Sequence, residues 1–152
     1  MIIAFCGHSL VPFGEKIKQA VKEQIRNSII KGEKIICYLG GYGDFDSICA
    51  RACKELKKEY PLIEVVYVTP YIGLSVQAKI KVMQESGDYD SSIYPPIENV
   101  PPKFAILKRN EWMMASADLI IAYVEHDFGG AYKALRFAER KKKKIINICS
   151  LV

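Results

Sequence analysis

The chain has 152 residues, half of them hydrophobic and 26% charged, a length that closes over one core and a composition that excludes a disordered or fibrous protein. No stretch reaches the ~18 apolar residues that a membrane helix needs, and the opening residues Met1 to Gly7 lack the basic segment and longer apolar run of a signal peptide. The net charge of +5 is modest and gathers partly in Lys141-Lys142-Lys143-Lys144; with no aromatic residues interleaved, that run reads as a solvated helix end complementing the helix dipole rather than a nucleic-acid platform.

Ile2 to Cys6 is an apolar run of strand length. Pro12 then opens a helical pattern in which Phe13, Ile17, Ala20, Val21, Ile25, Ser28 and Ile29 share a face, and Gly32 takes the C-terminal cap position. Ile35 to Leu39 forms a second strand that runs directly into Gly40-Gly41. The next helix carries Phe45, Cys49, Ala52, Cys53 and Leu56 on one stripe and stops near Tyr60-Pro61. Cys49 and Cys53 lie four apart on that apolar stripe, with no second Cys/His pair at ligand spacing, so they read as buried free thiols rather than metal ligands. Five cysteines without framework spacing point to a reducing, cytoplasmic setting.

Val65 to Val68 is a third strand, closed by Thr69-Pro70, and Leu74 to Gln84 is a short helix. Residues 86–103 hold four of the seven prolines and no period, which predicts an irregular loop of functional or mobile character. Phe104 to Ser116 is a helix, with Ala105, Trp112, Met113 and Ser116 toward the core. Leu119 to Val124 is a fourth strand, Gly130 to Lys141 a helix and Lys144 to Ile148 a last strand. Near-continuous apolar strands alternating with helices predict a single Rossmann-like α/β domain over residues 1–152. Its sheet is mostly parallel, five-stranded or slightly larger, with helices on both faces.

In such a sheet, ligands bind beyond the carboxyl ends of the strands, and the glycine-containing turns stand there. Gly7-His8-Ser9 follows the first strand and offers close backbone approach plus polar atoms for a phosphate or ribose. Gly40-Gly41-Tyr42-Gly43-Asp44-Phe45-Asp46 joins a strand to a helix. Its glycines predict a cradle of exposed amides at a helix N-terminus, although the spacing is neither a Walker A loop nor the dinucleotide fingerprint. One of Asp44 and Asp46 is expected to cap the helix, and the other to bind ribose hydroxyls or act as a base. Glu125-His126-Asp127-Phe128-Gly129-Gly130 opens another helix with a second anion-receptive pair of glycines. Arg109 and Asn110 offer a guanidinium fork and an amide, suited to a phosphate and to a base or ribose edge.

Taken in order, Gly7-His8, the turn from Gly40 to Asp46, Arg109-Asn110-Glu111-Trp112-Met113 and Gly129-Gly130-Ala131 resemble the SLOG superfamily, and within it a small stand-alone bacterial branch of unknown function. The superfamily also includes the LOG phosphoribohydrolases and the DNA-processing proteins. The resemblance implies a Rossmann-like fold, a nucleotide-derived ligand such as an ADP-ribose-like signal, and a homodimer or higher homo-oligomer. LOG enzymes carry a catalytic Glu six positions beyond the second of their paired glycines. Registering that motif on Gly129 and Gly130 puts Arg136 at the position of the Glu, where a cation reverses the sign of the electrostatic help given to an oxocarbenium-like transition state. Nucleoside deoxyribosyltransferases resemble the stretch from Asp118 to Ala138 and also want a Glu in that helix.

The reading that follows is binding or sensing of a nucleotide or nucleotide-derived phosphorylated ligand. Its residues are Gly7, His8, Ser9, Gly40, Gly41, Gly43, Asp44, Asp46, Arg109, Asn110, Gly129 and Gly130. Beside it stands a hydrolase or transferase acting on an N-glycosidic bond, with Asp44, Asp46 or Glu125 as its carboxylate. A nucleic-acid-associated protein is the third reading. No metal, no certain cofactor and no membrane partner follow from the sequence.

Overall fold

The computed structural model describes residues 1–12 and 14–152; Phe13, expected on the apolar face of the first helix, lies outside them. The chain runs β1 (Ile2–Gly7), α1 (Gly14–Asn27), β2 (Ile35–Leu39), α2 (Gly43–Glu59), β3 (Ile63–Val68), α3 (Leu74–Glu85), β4 (Ser91–Ile93), α4 (Ala105–Ser116), β5 (Leu119–Tyr123), α5 (Gly129–Arg140) and β6 (Lys144–Asn147). Short 3-10 turns occupy Pro102–Phe104 and Ile148–Ser150. The six strands form one sheet in the order β4-β3-β2-β1-β5-β6, and all five pairings are parallel.

The alternation of a strand divides the core into two layers. Ile3 and Phe5 of β1 pack with Ile17, Val21 and Ile25 of α1 and with Phe45, Cys49 and Leu56 of α2. Ala4 and Cys6 face the other way, onto Met113 and Met114 of α4 and Ala134 and Leu135 of α5. The second layer takes small residues from β1, which lets α4 and α5 lie close to the sheet. Cys37, Cys49 and Cys53 are buried free thiols in the first layer. The chain steps outward from β1 through β2 and β3 to β4, then returns to the opposite side of β1 as β5. Strand order therefore reverses between β1 and β5, and the loops leaving those two strands part to open a crevice.

Three local features differ from expectation. The segment 86–103 is not wholly irregular: Ser91–Ile93 adds a sixth strand, pairing Val66 to Ser91 and Val68 to Ile93. A three-residue strand is too short to show a period; what holds it is Asp90, whose carboxylate accepts the Val65 amide at 2.8 Å, and Tyr89, buried against Tyr67 with ring centroids 5.5 Å apart. Gly32 is not the cap of α1, which ends at Asn27. Instead it has φ 84° within a turn closed by the Glu33 amide donating to Ile30 O at 2.9 Å.

The four-lysine run also does several jobs. The Lys143 amide donates to Ala138 O and the Lys142 amide to Glu139 O, the paired bonds of a Schellman cap. Lys142 stands where glycine usually does, with φ 56°. Lys143 reaches back to cap α4, its Nζ donating to Ala115 O at 2.8 Å and Ala117 O at 3.0 Å. Lys144 begins β6. Relieving the left-handed strain with Lys142→Gly is expected to stabilise the fold by about 0.5–1 kcal/mol, read as a higher midpoint in urea unfolding.

Candidate functional site

A cleft of about 410 Å³ occupies the crevice at the carboxyl edge of the sheet. The loop after β1 supplies Gly7, His8 and Ser9, the turn after β2 supplies Gly40 and Asp46, α4 supplies Arg109 and Asn110, and the start of α5 supplies Gly129 and Gly130. Four sequence segments, spread over the 123 positions from Gly7 to Gly130, thus meet around one space. Gly41, Gly43, Asp44 and Glu125 are not on its walls. Residues the sequence did not single out complete the lining, notably Cys6, Tyr42, His126 and Phe128.

The turn after β2 is not the open cradle its glycines suggest. The Asp44 amide donates to Ser9 O at 2.8 Å and the Phe45 amide to His8 O at 3.4 Å. The Tyr42 amide donates to the Asp46 carboxylate at 3.1 Å. The amides at the start of α2 are therefore spent on the neighbouring loop. Neither aspartate is the N-cap; that position is Tyr42, with extended backbone, and both acids lie in the first turn. Asp44 is a tie, accepting the Val11 amide at 3.1 Å from an exposed position. The glycines serve close approach. A β-carbon on Gly7 would stand 2.3 Å from the Phe45 ring, one on Gly41 2.4 Å from the Tyr67 ring, and one on Gly43 2.6 Å from Ser9 Cα.

The start of α5 is the opposite case. Its N-cap residue, Phe128, is extended and gives no side-chain cap, and the amides of Gly129, Gly130 and Ala131 make no bond outside the helix among the described residues. Nothing lies within 4 Å of where a β-carbon would stand on Gly129 or Gly130. Unpaired amides facing open space at the positive end of a helix dipole favour an anion.

Arg109 is only 3% exposed, not the solvated helix residue that a charged side chain usually is. Its Nη1 donates to Gly40 O at 3.1 Å and Val68 O at 2.7 Å, and its Nε donates to Asn110 Oδ1 at 2.8 Å. These bonds fix the guanidinium plane and stitch α4 to the ends of β2 and β3. Nη2 has no acceptor among the described residues. Asn110 Nδ2, on the same wall, has no partner among the described residues.

The opposite wall is aromatic. The His8 ring stacks on His126 at 3.6 Å between centroids, and His126 stacks on Phe128 at 3.9 Å. His8 Nε2 accepts the Glu125 amide at 3.0 Å, so it carries no proton and the proton of the neutral ring sits on Nδ1. Burial, and then the neighbouring His126, lower the His8 pKa, while Glu125 opposes them. The ring is thereby kept neutral. Glu125 itself is exposed and acts here through its backbone. Phe128 ends the stack with 65% of its surface open.

Asp46 is the cleft's titratable acid. Burial pushes its carboxyl up to about 6, against the Tyr42 amide and the Arg109 charge, which lower it. An acid whose pKa is higher in the native than in the unfolded state holds its proton more tightly when folded. Its contribution is therefore complete below about pH 4 and is lost as pH rises through about 6. Asp46→Asn should match the parent near pH 4 and exceed it by about 1–2 kcal/mol near pH 8, measured by denaturant unfolding at both pH values. Cys6 is no nucleophile: burial first and Asp46 second push its thiol up to about 12.

A doubly wound parallel sheet with a cleft at its switch point defines a Rossmann-like protein. Comparison with known proteins carries this further: the sequence profile of the YspA SLOG family (YpsA) matches residues 12–148, and the chain belongs to that family. A UPF0398 protein of Bacillus velezensis is 27% identical over 135 residues, covering 84% of this chain and 72% of the relative. Among solved structures, DNA processing protein A of Streptococcus pneumoniae superposes with a TM-score of 0.66 at 17% identity, and that of Helicobacter pylori with 0.61 at 19%. The match covers 94% and 95% of this chain but only 48% and 63% of those proteins, so it speaks for the fold. The Helicobacter structure was described for its mode of binding single-stranded DNA.

Proposed function

We propose that the cleft binds a nucleotide or a nucleotide-derived phosphorylated ligand. The observation that carries this is the uncapped N-terminus of α5, whose amides open onto the same cleft as the partner-free Nη2 of a buried arginine. These donors have no protein acceptor among the described residues, and a phosphate supplies several. Phe128 offers an aromatic face at the mouth for a heterocyclic base, continuing a stack already three rings deep. The volume falls within the ~300–1,000 Å³ of small-molecule sites. The neighbour that binds single-stranded DNA takes a polymer of the same units. Self-association, implied by the family resemblance, belongs to this reading, and light scattering of the purified protein checks it.

A second reading rests on Asp46. A carboxyl held near 6 beside a ligand cleft is poised for general acid–base work on an N-glycosidic bond. Arg136, which stands at the position of the LOG Glu, lies outside the cleft and pairs with Glu139 at 2.8 Å, so any chemistry here follows another arrangement. Incubating the protein with a panel of nucleotides, and assaying both thermal stabilisation and released base or phosphate, separates the two. Stabilisation without product supports binding alone. Product that disappears in Asp46→Ala establishes the enzyme.

A further inference from the structure

The molecule's charge is unevenly placed. Residues 1–101 contain twelve Lys and Arg against twelve Asp and Glu, whereas residues 102–152 contain ten against five. The whole net charge of +5 therefore lies in the last third of the chain, on α4, α5 and the turn after α5. On the opposite layer Lys18 and Lys22 pair with Glu55, Arg26 with Glu59, Lys54 with Asp88 and Lys57 with Asp90, which leaves Lys16, Arg51 and Lys58 of α1 and α2 without an acidic partner among the described residues. On α4 and α5, Lys108 pairs with Glu111 and Arg136 with Glu139.

A groove of about 370 Å³ runs between α4 and α5, lined by Leu107, Glu111, Tyr132, Lys133, Arg136 and Arg140. Lys133, Arg136 and Arg140 recur at i, i+3 and i+7, so they form one line about 10 Å long on the exposed face of α5. Lys133 and Arg140 have no acidic partner among the described residues. The aromatic rings that Lys141–Lys144 lack in sequence are brought alongside by the helix. Arg140 lies 5.9 Å and Lys141 5.5 Å from the centroid of Phe137, and Tyr132 lines the groove itself.

We infer that this face of α5 binds the phosphate backbone of a single-stranded nucleic acid, at a site separate from the ligand cleft. A line of cations flanked by flat rings fits a strand whose charges repeat and whose bases stack. An anionic membrane surface is the poorer fit. Among the described residues, α5 itself exposes no large hydrophobic side chain to insert into lipid; the exposed ones nearest in the chain and on α4 are Phe128, Leu151 and Ile106. The inference does not depend on the identity of the cleft's ligand.

The test is fluorescence anisotropy of a labelled single-stranded oligonucleotide across ~50–200 mM salt, the range over which phosphate contacts are most visible. Three such contacts give a log–log slope of about −2, and affinity falls about 20-fold across that range. The triple variant Lys133→Gln, Arg136→Gln, Arg140→Gln should bind at least ~10-fold more weakly at low salt and lose about 2 from the slope. It should still fold, as circular dichroism checks, and still show the nucleotide stabilisation of the cleft. Absence of oligonucleotide binding by the parent protein at low salt would overturn the inference. So would a parental slope in the triple variant, or preference for phosphatidylserine vesicles over the oligonucleotide.

Discussion

Gly43→Ala is expected to cost about 3–4 kcal/mol, a large share of the ~5–15 kcal/mol that holds a domain of this size together. Two independent effects add. Gly43 has φ 87°, and placing a β-carbon there costs about 1–2 kcal/mol of backbone strain. That β-carbon also stands 2.6 Å from Ser9 Cα, a backbone atom that cannot rotate aside. The loop after β1 must then retreat, and the bonds from the Asp44 and Phe45 amides to Ser9 O and His8 O go with it, each worth about 0.5–1.5 kcal/mol. Urea unfolding measures the loss. A cost below about 1 kcal/mol would mean that the loop is not clasped to α2 in solution.

Gly130→Asp should separate binding from stability. The site is open, with nothing within 4 Å of the new β-carbon and no positive φ to oppose it. An acid in the first turn of α5 complements the helix dipole by about 0.3–1 kcal/mol, so the variant should be as stable as the parent or slightly more so. Yet it fills the anion position with the protein's own carboxylate. A phosphorylated ligand then meets like charge where it had met free amides, and its affinity should fall by about 100-fold or more, a loss of ~2.7 kcal/mol. Isothermal titration against the nucleotide with the largest thermal shift gives the number. The Gly43 and Gly130 variants together would show that two glycine-rich turns, alike in composition, do different work.

That contrast marks what was legible in the sequence. The layers of the fold follow from periodicity: Ile3 and Phe5 against Ala4 and Cys6, or Ile17, Val21 and Ile25 along α1, declare their faces by spacing alone. The convergence of Gly7, Gly40, Arg109 and Gly130 on one cleft was also readable, because a parallel sheet sends all its strand-to-helix turns to one edge. What each turn does there was not. Glycines at a helix start look the same whether their amides face a ligand or a neighbouring carbonyl. Only the tertiary position of Ser9 O tells α2 from α5. His126 and Phe128 carry no sequence signal, because an aromatic stack has no period when its three rings come from two loops. β4 is not legible in the sequence, because three residues, held by Asp90 and Tyr89, carry too little pattern. Burial of Arg109 ran against the ordinary exposure of charged helix residues, and its carbonyl partners, Gly40 and Val68, lie 69 and 41 positions away.

In the proposed function, the open N-terminus of α5 and Arg109 receive a phosphate in the cleft. Thermal denaturation of the parent and Gly130→Asp proteins, with nucleosides and with the same nucleosides phosphorylated, tests it most directly. A phosphorylated nucleoside at ~100 times its dissociation constant should add about 2.7 kcal/mol to the parent protein. The unphosphorylated nucleoside should add far less, and Gly130→Asp should remain folded but unmoved. Equal stabilisation by nucleoside and nucleotide, or a shift that persists in Gly130→Asp, would contradict it.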